Sequence, residues 1–211
     1  MNFGILLATF ALVIPAELPD KTFISCIVMA SRHRPLPVWI GGASALILQA
    51  GIAVVAGRLL ALLPHTAVRS VIAALFIGGA AYLLFVPEKE EEAKGERLGE
   101  RGAGGEGGAG GEEVAPPTRS DTWWRPMLTT FSIVSLAEFG DITQILIANL
   151  SARYHATWSV FVGASAAFIV VSGAGVLGGR AIVRVVPLSV VRRVSGLALL
   201  GLGIYTIVGL I

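Results

Sequence analysis

Two stretches of the sequence, AELPDKTFISCIVMASR (residues 16–32) and AEFGDITQILIANLSAR (residues 137–153), carry the same charged pattern inside apolar surroundings. The two acids, the threonine and the last arginine of the first stretch recur in the second at a constant separation of 121 residues. The tetrapeptide GASA, at 42–45 and at 163–166, keeps the same separation. Because the register persists with small shifts to near the end of each half, we interpret it as an internal duplication.

The composition is typical of an integral membrane protein. Only 14% of the 211 residues are charged and 55% are hydrophobic, whereas soluble domains carry about 25% charged residues. Ten of the 14 acidic residues fall between Glu88 and Asp121, so the two stretches hold all the others. Arginines lie at the ends of apolar runs, where basic residues flank membrane spans. We therefore expect no nucleic-acid binding despite the net charge of +2. The single cysteine, Cys26, excludes an intramolecular disulfide.

Apolar runs long enough to cross a bilayer, which takes about 20 residues, occur six times. They are residues 3–30, 37–62, 68–86, 127–150, 157–178 and 190–211. The first run is too long for one straight helix, and Pro15 and Pro19 predict a kink or break at its charged stretch. It lacks a basic leading region and a convincing cleavage site, so we interpret it as a retained span and not as a signal peptide.

The segment at residues 87–125 separates the two halves and is rich in Glu, Gly and Pro. It has little to bury, which predicts a flexible acidic linker. Residues 1–86 and 126–211 then form two repeats of three helices each. An odd number of spans gives the repeats opposite topology. The predicted fold class is an all-α membrane protein of six helices in two inverted repeats, with the first helix of each kinked or broken at the acidic motif.

The distribution of arginine predicts the orientation in the membrane. One side of the membrane would carry the linker together with Arg32, Arg34, Arg180, Arg184, Arg192 and Arg193, against Arg58, Arg69 and Arg153 on the other. By the positive-inside rule, the linker is cytoplasmic and both termini are outside. The low ratio of lysine to arginine and the abundance of Ala, Gly and Val favour a GC-rich bacterium and hence the plasma membrane.

Acidic residues inside a bilayer are costly and indicate a functional site. Glu17 and Asp20 are three residues apart and share a helical face, as do Glu138 and Asp141. Inverted repeats bring such stretches together near the midplane, which predicts one site with four carboxylates. Oxygen ligands suit hard divalent cations, and Mn²⁺ or Ca²⁺ fits a carboxylate set completed by hydroxyl and amide groups. The nearby candidates for those groups are Thr22, Ser25, Ser135, Thr143, Gln144 and Asn149.

Four clustered carboxylates cannot all stay ionised without a cation, so an empty site takes up protons that a divalent cation expels. This competition is the physical basis of cation/proton antiport. Lys21 is matched by Ile142 in the second copy. It either neutralises Glu17, one turn away, or acts as a tethered cation when no metal is bound. A purely structural salt-bridge cluster is disfavoured, since four acids face one lysine.

The two motif copies, ELPDKT (17–22) and EFGDIT (138–143), resemble the doubled Glu-x-Gly-Asp-Lys-Thr/Ser pattern of a family of small six-span cation/proton antiporters. That family includes Golgi manganese/calcium transporters and bacterial manganese exporters, and lies near the lysine-exporter superfamily. The resemblance implies a divalent cation/proton antiporter with the four acids as the cation- and proton-binding set and the two motif threonines as auxiliary ligands. Pro19 and Ile142 depart from the motif.

Other functions are left open by the sequence. A cation channel with an acidic constriction and an exporter of a small organic solute are the alternatives to an antiporter that exports Mn²⁺ or Ca²⁺. A membrane-embedded enzyme is disfavoured, because no HExxH motif or Ser/His pair lies at membrane depth. The expected partners are the lipid bilayer and the transported divalent ion, with no permanent cofactor. The sequence leaves open whether the protein is a homodimer.

Overall fold

The computed structural model describes residues 1–17, 21–60, 62, 65–85, 88–104, 123–154, 156–185 and 188–208. Within these ranges the chain is all-helical and contains no strand. The helices are α1 (Phe3–Glu17), α2 (Lys21–Arg32), α3 (Pro35–Leu60), α4 (His65–Phe85), α5 (Glu88–Gly104), α6 (Trp124–Ala137), α7 (Ile142–Tyr154), α8 (Thr157–Val185) and α9 (Leu188–Val208). The all-helical prediction is confirmed.

Two of the described helices, α3 and residues 157–178 of α8, are long and apolar enough to cross a membrane. The number rises to four if α1 with α2 and α6 with α7 each count as one bent span. Shorter apolar segments, Ile72–Tyr82 and Leu199–Val208, lie in α4 and α9. The protein is thus a multi-pass membrane protein, while six spans and their inverted arrangement stay predictions.

The second acidic motif lies at a break between two helices, as the sequence predicts. Helix α6 ends at Ala137, α7 begins at Ile142, and their axes are inclined by 74°. Gly140 has a φ of 81° in the intervening turn, a left-handed conformation that glycine adopts without steric cost. Helices α1 and α2, which flank the first motif, are inclined by 70°.

Helices α3 and α8 form the centre of the bundle. They pack against each other, α3 packs against α6 and α7, and α8 packs against α1 and α2. Helices α4 and α9 pack together beside them. The largest fully buried apolar side chains include Leu46, Phe76, Leu146 and Phe168, which places the core where both halves meet.

The central segment differs from the predicted flexible linker over its first part. Residues Glu88–Gly104 form α5, which packs against α2 and α6. Its Glu, Lys, Arg and Ala residues are good helix formers, and Gly99 allows a close approach: a Cβ atom there would lie 2.5 Å from the Cβ of Val28. Residues 105–122 lie outside the described residues, and the domain boundaries stay predictions.

Candidate cation site

Three carboxylates from the two acidic motifs converge in the bundle. One carboxylate oxygen from each of Glu17, Glu138 and Asp141 lies within 4.8 Å of the others. Glu17 and Glu138 are each only 2% exposed, and Asp141 is half-buried. Buried carboxylates are costly unless hydrogen bonds or a cation compensate them. The cluster therefore offers oxygen ligands of the type that hard divalent cations bind, close enough together to share one ion.

The two motifs also contact each other directly. Thr22, at the start of α2, donates its hydroxyl hydrogen to Oε1 of Glu138. Both side chains are buried. Ser25 lies one turn further along α2 and donates its hydroxyl to the carbonyl oxygen of Thr22 at 3.0 Å. The first motif thus supplies a hydrogen-bond donor to an acid of the second.

Thr143 acts within its own motif. Its hydroxyl donates to Oδ2 of Asp141 at 2.9 Å, and its backbone N–H donates to the same oxygen at 3.3 Å. Asp141 accordingly caps the first turn of α7, since a carboxylate before a helix satisfies an N–H group that has no helical partner. The two motif threonines, equivalent in sequence, therefore hold different acids.

Two amide side chains tie the second motif to α3. Nε2 of Gln144 donates to the carbonyl oxygen of Glu138 at 2.6 Å and to Oε1 of Gln49 at 2.9 Å. Nε2 of Gln49 donates to the carbonyl oxygen of Ser135 at 2.7 Å. Oε1 of Gln144 accepts from the N–H of Gly140 at 3.2 Å. The amides therefore bind the backbone on both sides of Glu138.

The structure brings together most of the predicted site residues that it describes. Glu17, Glu138 and Asp141 form the cluster, and Thr22, Thr143 and Gln144 contact its acids or their backbone. The hydroxyl of Ser135 is buried without a hydrogen-bond partner in the described part of the chain. Asp20 and the side chain of Lys21 lie outside the described residues, so their roles stay predictions.

Sequence reasoning missed Gln49. This residue lies on α3, far from either motif in the sequence, and is 3% exposed. The available signal was its amide in the middle of the apolar run IGGASALILQAGIAVVAG. Polar side chains within a membrane helix usually face a protein partner. The identity of that partner depends on the tertiary packing of α3 against α7.

An all-helical bundle with membrane-length apolar helices and buried carboxylates at a helix break defines a class, that of membrane transport proteins. Within this class, the chain belongs to the family of divalent cation/proton antiporters GDT1, whose sequence profile matches residues 5–91 and 126–210. The family consists of transporters, not enzymes, so the prediction that the protein is not an enzyme is confirmed. The predicted family resemblance is confirmed as well.

Individual relatives match over most of the chain. GDT1-like protein 3 of Arabidopsis thaliana is 28% identical over 211 residues, which cover 96% of this chain and 70% of the relative. GDT1-like protein sll0615 of Synechocystis sp. is 25% identical over 200 residues, which cover 90% of each chain. No solved structure gives a significant match.

Proposed function

We propose that this protein exports Mn²⁺ or Ca²⁺ from the cytoplasm in exchange for protons, across the plasma membrane of a bacterium. The observation that carries the proposal is the convergence of Glu17, Glu138 and Asp141 within 4.8 Å. Membership in a family of divalent cation/proton antiporters supports the coupling to protons. The choice of ion rests on the donor set, since carboxylate and hydroxyl oxygens suit Mn²⁺ and Ca²⁺.

Exchange follows from the burial of the acids. Several carboxylates this close repel one another and cannot all stay ionised without positive charge nearby. Either a divalent cation or protons can supply that charge, and the binding of one displaces the other. Asp20 is expected to add a fourth acid, and Lys21 a positive charge beside Glu17. The hydroxyl groups of Thr22 and Thr143 already bind the acids and are expected to complete the ligand set.

An inverted repeat of two three-helix units is the architecture we propose for alternating access. Mirrored contacts support it: Gly41 of α3 packs against Met127 and Thr130 of α6, and Gly163 of α8 packs against Leu6 and Thr9 of α1. Leu6 and Thr9 are separated from Met127 and Thr130 by the same 121 residues as the motifs, while the two glycines are 122 residues apart, one residue out of that register. Cation access would then alternate as one repeat moves against the other.

The orientation in this proposal follows the arginine distribution, with both termini outside and the central segment in the cytoplasm. This places the packing of α5 against α2 on the cytoplasmic side of the protein. The site would receive its cation from that side and release it to the outside in exchange for external protons.

Flux measurements with purified protein in proteoliposomes test the proposed function. An inward Mn²⁺ gradient should drive proton efflux and raise the internal pH, and Ca²⁺ should replace Mn²⁺ in a matched experiment. Mg²⁺ should be transported more slowly, because it needs nearly ideal octahedral geometry and gives up its waters reluctantly. Cation entry without proton movement, at rates typical of a channel, would contradict the proposal. Proton-coupled movement of an amino acid without Mn²⁺ or Ca²⁺ flux would do so too.

A further inference from the structure

The side chains of Gln49 and Gln144 form an amide pair that lies outside the carboxylate cluster and hydrogen bonds to the backbone at and beside Glu138. Its donated bonds go to the carbonyl oxygens of Ser135 and Glu138, and its accepted bond comes from the N–H of Gly140. A fourth hydrogen bond joins the two amides at 2.9 Å. Among the described residues, the side-chain hydrogen bonds that the pair makes to other residues therefore all fall within residues 135–140.

These bonds supplement the backbone hydrogen bonds at the break between α6 and α7. Helix α6 ends at Ala137, and Ser135 lies in its last turn, where carbonyl groups lose their partners four residues on. The carbonyl oxygen of Ser135 accepts from Gln49. That of Glu138, just past the helix, accepts from the N–H of Asp141 at 3.2 Å and also from Gln144. A polar backbone group without a partner is costly in a membrane interior. The amides satisfy these groups without adding charge to a cluster of carboxylates.

The geometry favours positioning over direct cation binding for Gln49. Its oxygen accepts the hydrogen bond from Gln144, and its nitrogen donates to Ser135. The oxygen of Gln144 is engaged by Gly140. Both amide oxygens therefore already accept hydrogen bonds within the protein, and the side chain of Gln49 hydrogen bonds to Gln144 and to the backbone of Ser135.

The amide pair belongs to only one half of the duplication. At the separation of 121 residues, Phe23 corresponds to Gln144 and Val170 corresponds to Gln49. The first motif therefore has no matching pair at those positions. The central helix α3 holds the second motif, while its counterpart α8 lacks the amide needed to hold the first in the same way.

We propose that Gln49 is a positioning residue that fixes the α6–α7 break through Gln144 and thereby sets the cation affinity of Glu138 and Asp141. The inference rests on the proposed function, since it assigns these acids to a cation. Partners that orient metal ligands typically account for about 10- to 100-fold in metal affinity. Loss of the Gln49 amide is expected to weaken cation binding by about 10-fold or more.

The variant Gln49→Leu tests this, because leucine is of similar size and cannot hydrogen bond. Mn²⁺ flux should show a KM raised by about 10-fold with a smaller change in kcat, and calorimetry should show a matching loss of Mn²⁺ affinity. Ser151→Ala is the matched control. The hydroxyl of Ser151 also joins α7 to α3, at 3.1 Å from the carbonyl oxygen of Val54, but away from the motif. Its KM should equal that of the wild type.

Two further variants separate positioning from ligation and from general packing. In a Gln144→Leu background, Gln49→Leu should have a smaller effect than in the wild type, because residues of one network are not additive and only the bond to Ser135 is left to lose. An ionised carboxylate in Gln49→Glu cannot donate to Ser135, so its affinity should fall as in Gln49→Leu. If Gln49 were instead a direct ligand, the Gln49→Glu variant would bind Mn²⁺ more tightly than the wild type. If Gln49→Leu does not fold, Gln49→Asn keeps the amide but misplaces it, with the same expected loss.

An unchanged Mn²⁺ affinity in Gln49→Leu, fully additive effects with Gln144→Leu, or tighter binding in Gln49→Glu would each overturn the inference. A wild-type protein that binds Mn²⁺ without moving it against protons would instead contradict the proposed function. The calorimetric comparison of the variants would still decide the role of Gln49 in that case.

Discussion

The two acidic motifs provide acids to one cluster from unlike surroundings. Position 19 of the first motif is a proline, and the corresponding residue of the second, Gly140, has a φ of 81°. A proline cannot take that conformation, because its ring holds φ at roughly −65°. Phe23 stands where the second copy has Gln144, which binds the backbone of its own motif. The duplication thus repeats the acids and the threonine, but not the glycine and the glutamine that support the second motif.

This difference indicates that the two halves have different tasks at the site. The second motif is held on α3 by amide hydrogen bonds, and it supplies Glu138 and Asp141. The first motif supplies Glu17, and its Thr22 donates to Glu138. If the two motifs form one site, replacing an acid should have a similar effect in either motif. Replacing a residue that positions the acids should have a different effect in the two motifs.

The largest effect is expected for the acids themselves, where the two motifs should be equal. Glu17→Gln and Glu138→Gln each remove one of two buried negative charges that would face the cation. Since even outer partners of ligands account for about 10- to 100-fold in affinity, we expect losses above about 100-fold in Mn²⁺ flux. The exposed Glu96→Gln in α5 is the control. Transport near the wild-type rate in Glu17→Gln or Glu138→Gln would show that the replaced acid does not belong to the site.

The next effect should separate the motifs. Gly140→Pro gives the second copy the proline of the first, excludes the φ of 81° and removes the N–H that donates to Gln144. We expect transport to fall by about 10-fold or more, because the positions of Glu138 and Asp141 depend on this turn. Pro19→Gly, the reverse exchange, should be tolerated far better. Mn²⁺ flux per folded protein is the measurement. Equal losses in the two variants would mean that positions 19 and 140 support their motifs equally.

The motif threonines should show a smaller difference. Thr22→Val removes a hydrogen bond to buried Glu138, and Thr143→Val removes one to half-buried Asp141 while keeping the backbone N–H bond. A hydrogen bond to a charged group is worth about 1.5–3 kcal/mol, or roughly tenfold or more in affinity. We expect the KM for Mn²⁺ to rise by about tenfold in Thr22→Val and by about threefold in Thr143→Val. The reverse order in a Mn²⁺ titration of flux would contradict the assignment.

The smallest effect is expected away from the site. Tyr205 of α9 accepts a hydrogen bond from Arg153 at 2.6 Å, and the corresponding Tyr82 of α4 accepts one from Lys94 of α5 at 3.0 Å. Exposed pairs of this kind contribute below about 1 kcal/mol. Tyr205→Phe and Tyr82→Phe should therefore each shift the melting temperature by a few degrees at most. A loss of Mn²⁺ transport in either variant would show that the pair has a role beyond stability.

The sequence predicts the acids and the helix break, because charged residues beside proline or glycine are costly within an apolar run unless a site or a turn requires them. The acids need a partner across the bundle, and the duplication shows where that partner lies. The family follows from the same residues.

Three features depend on information that the local sequence does not contain. The role of Gln49 appears only when α3 packs against α7, because an isolated amide does not reveal its partner. Helix α5 is stabilised by packing on α2 at Gly99, a contact that a polar, glycine-rich composition does not indicate. The unlike partners of Thr22 and Thr143 follow from the orientation of the helices and not from the shared motif.

The most direct test of the central claim is calorimetric titration of the purified protein with Mn²⁺, in buffers that differ in their enthalpy of ionisation. A single site built from both motifs predicts one Mn²⁺ per chain, with protons released on binding. It also predicts that Glu17→Gln and Glu138→Gln each abolish that binding. Two Mn²⁺ ions per chain, or full affinity in either variant, would contradict a shared site.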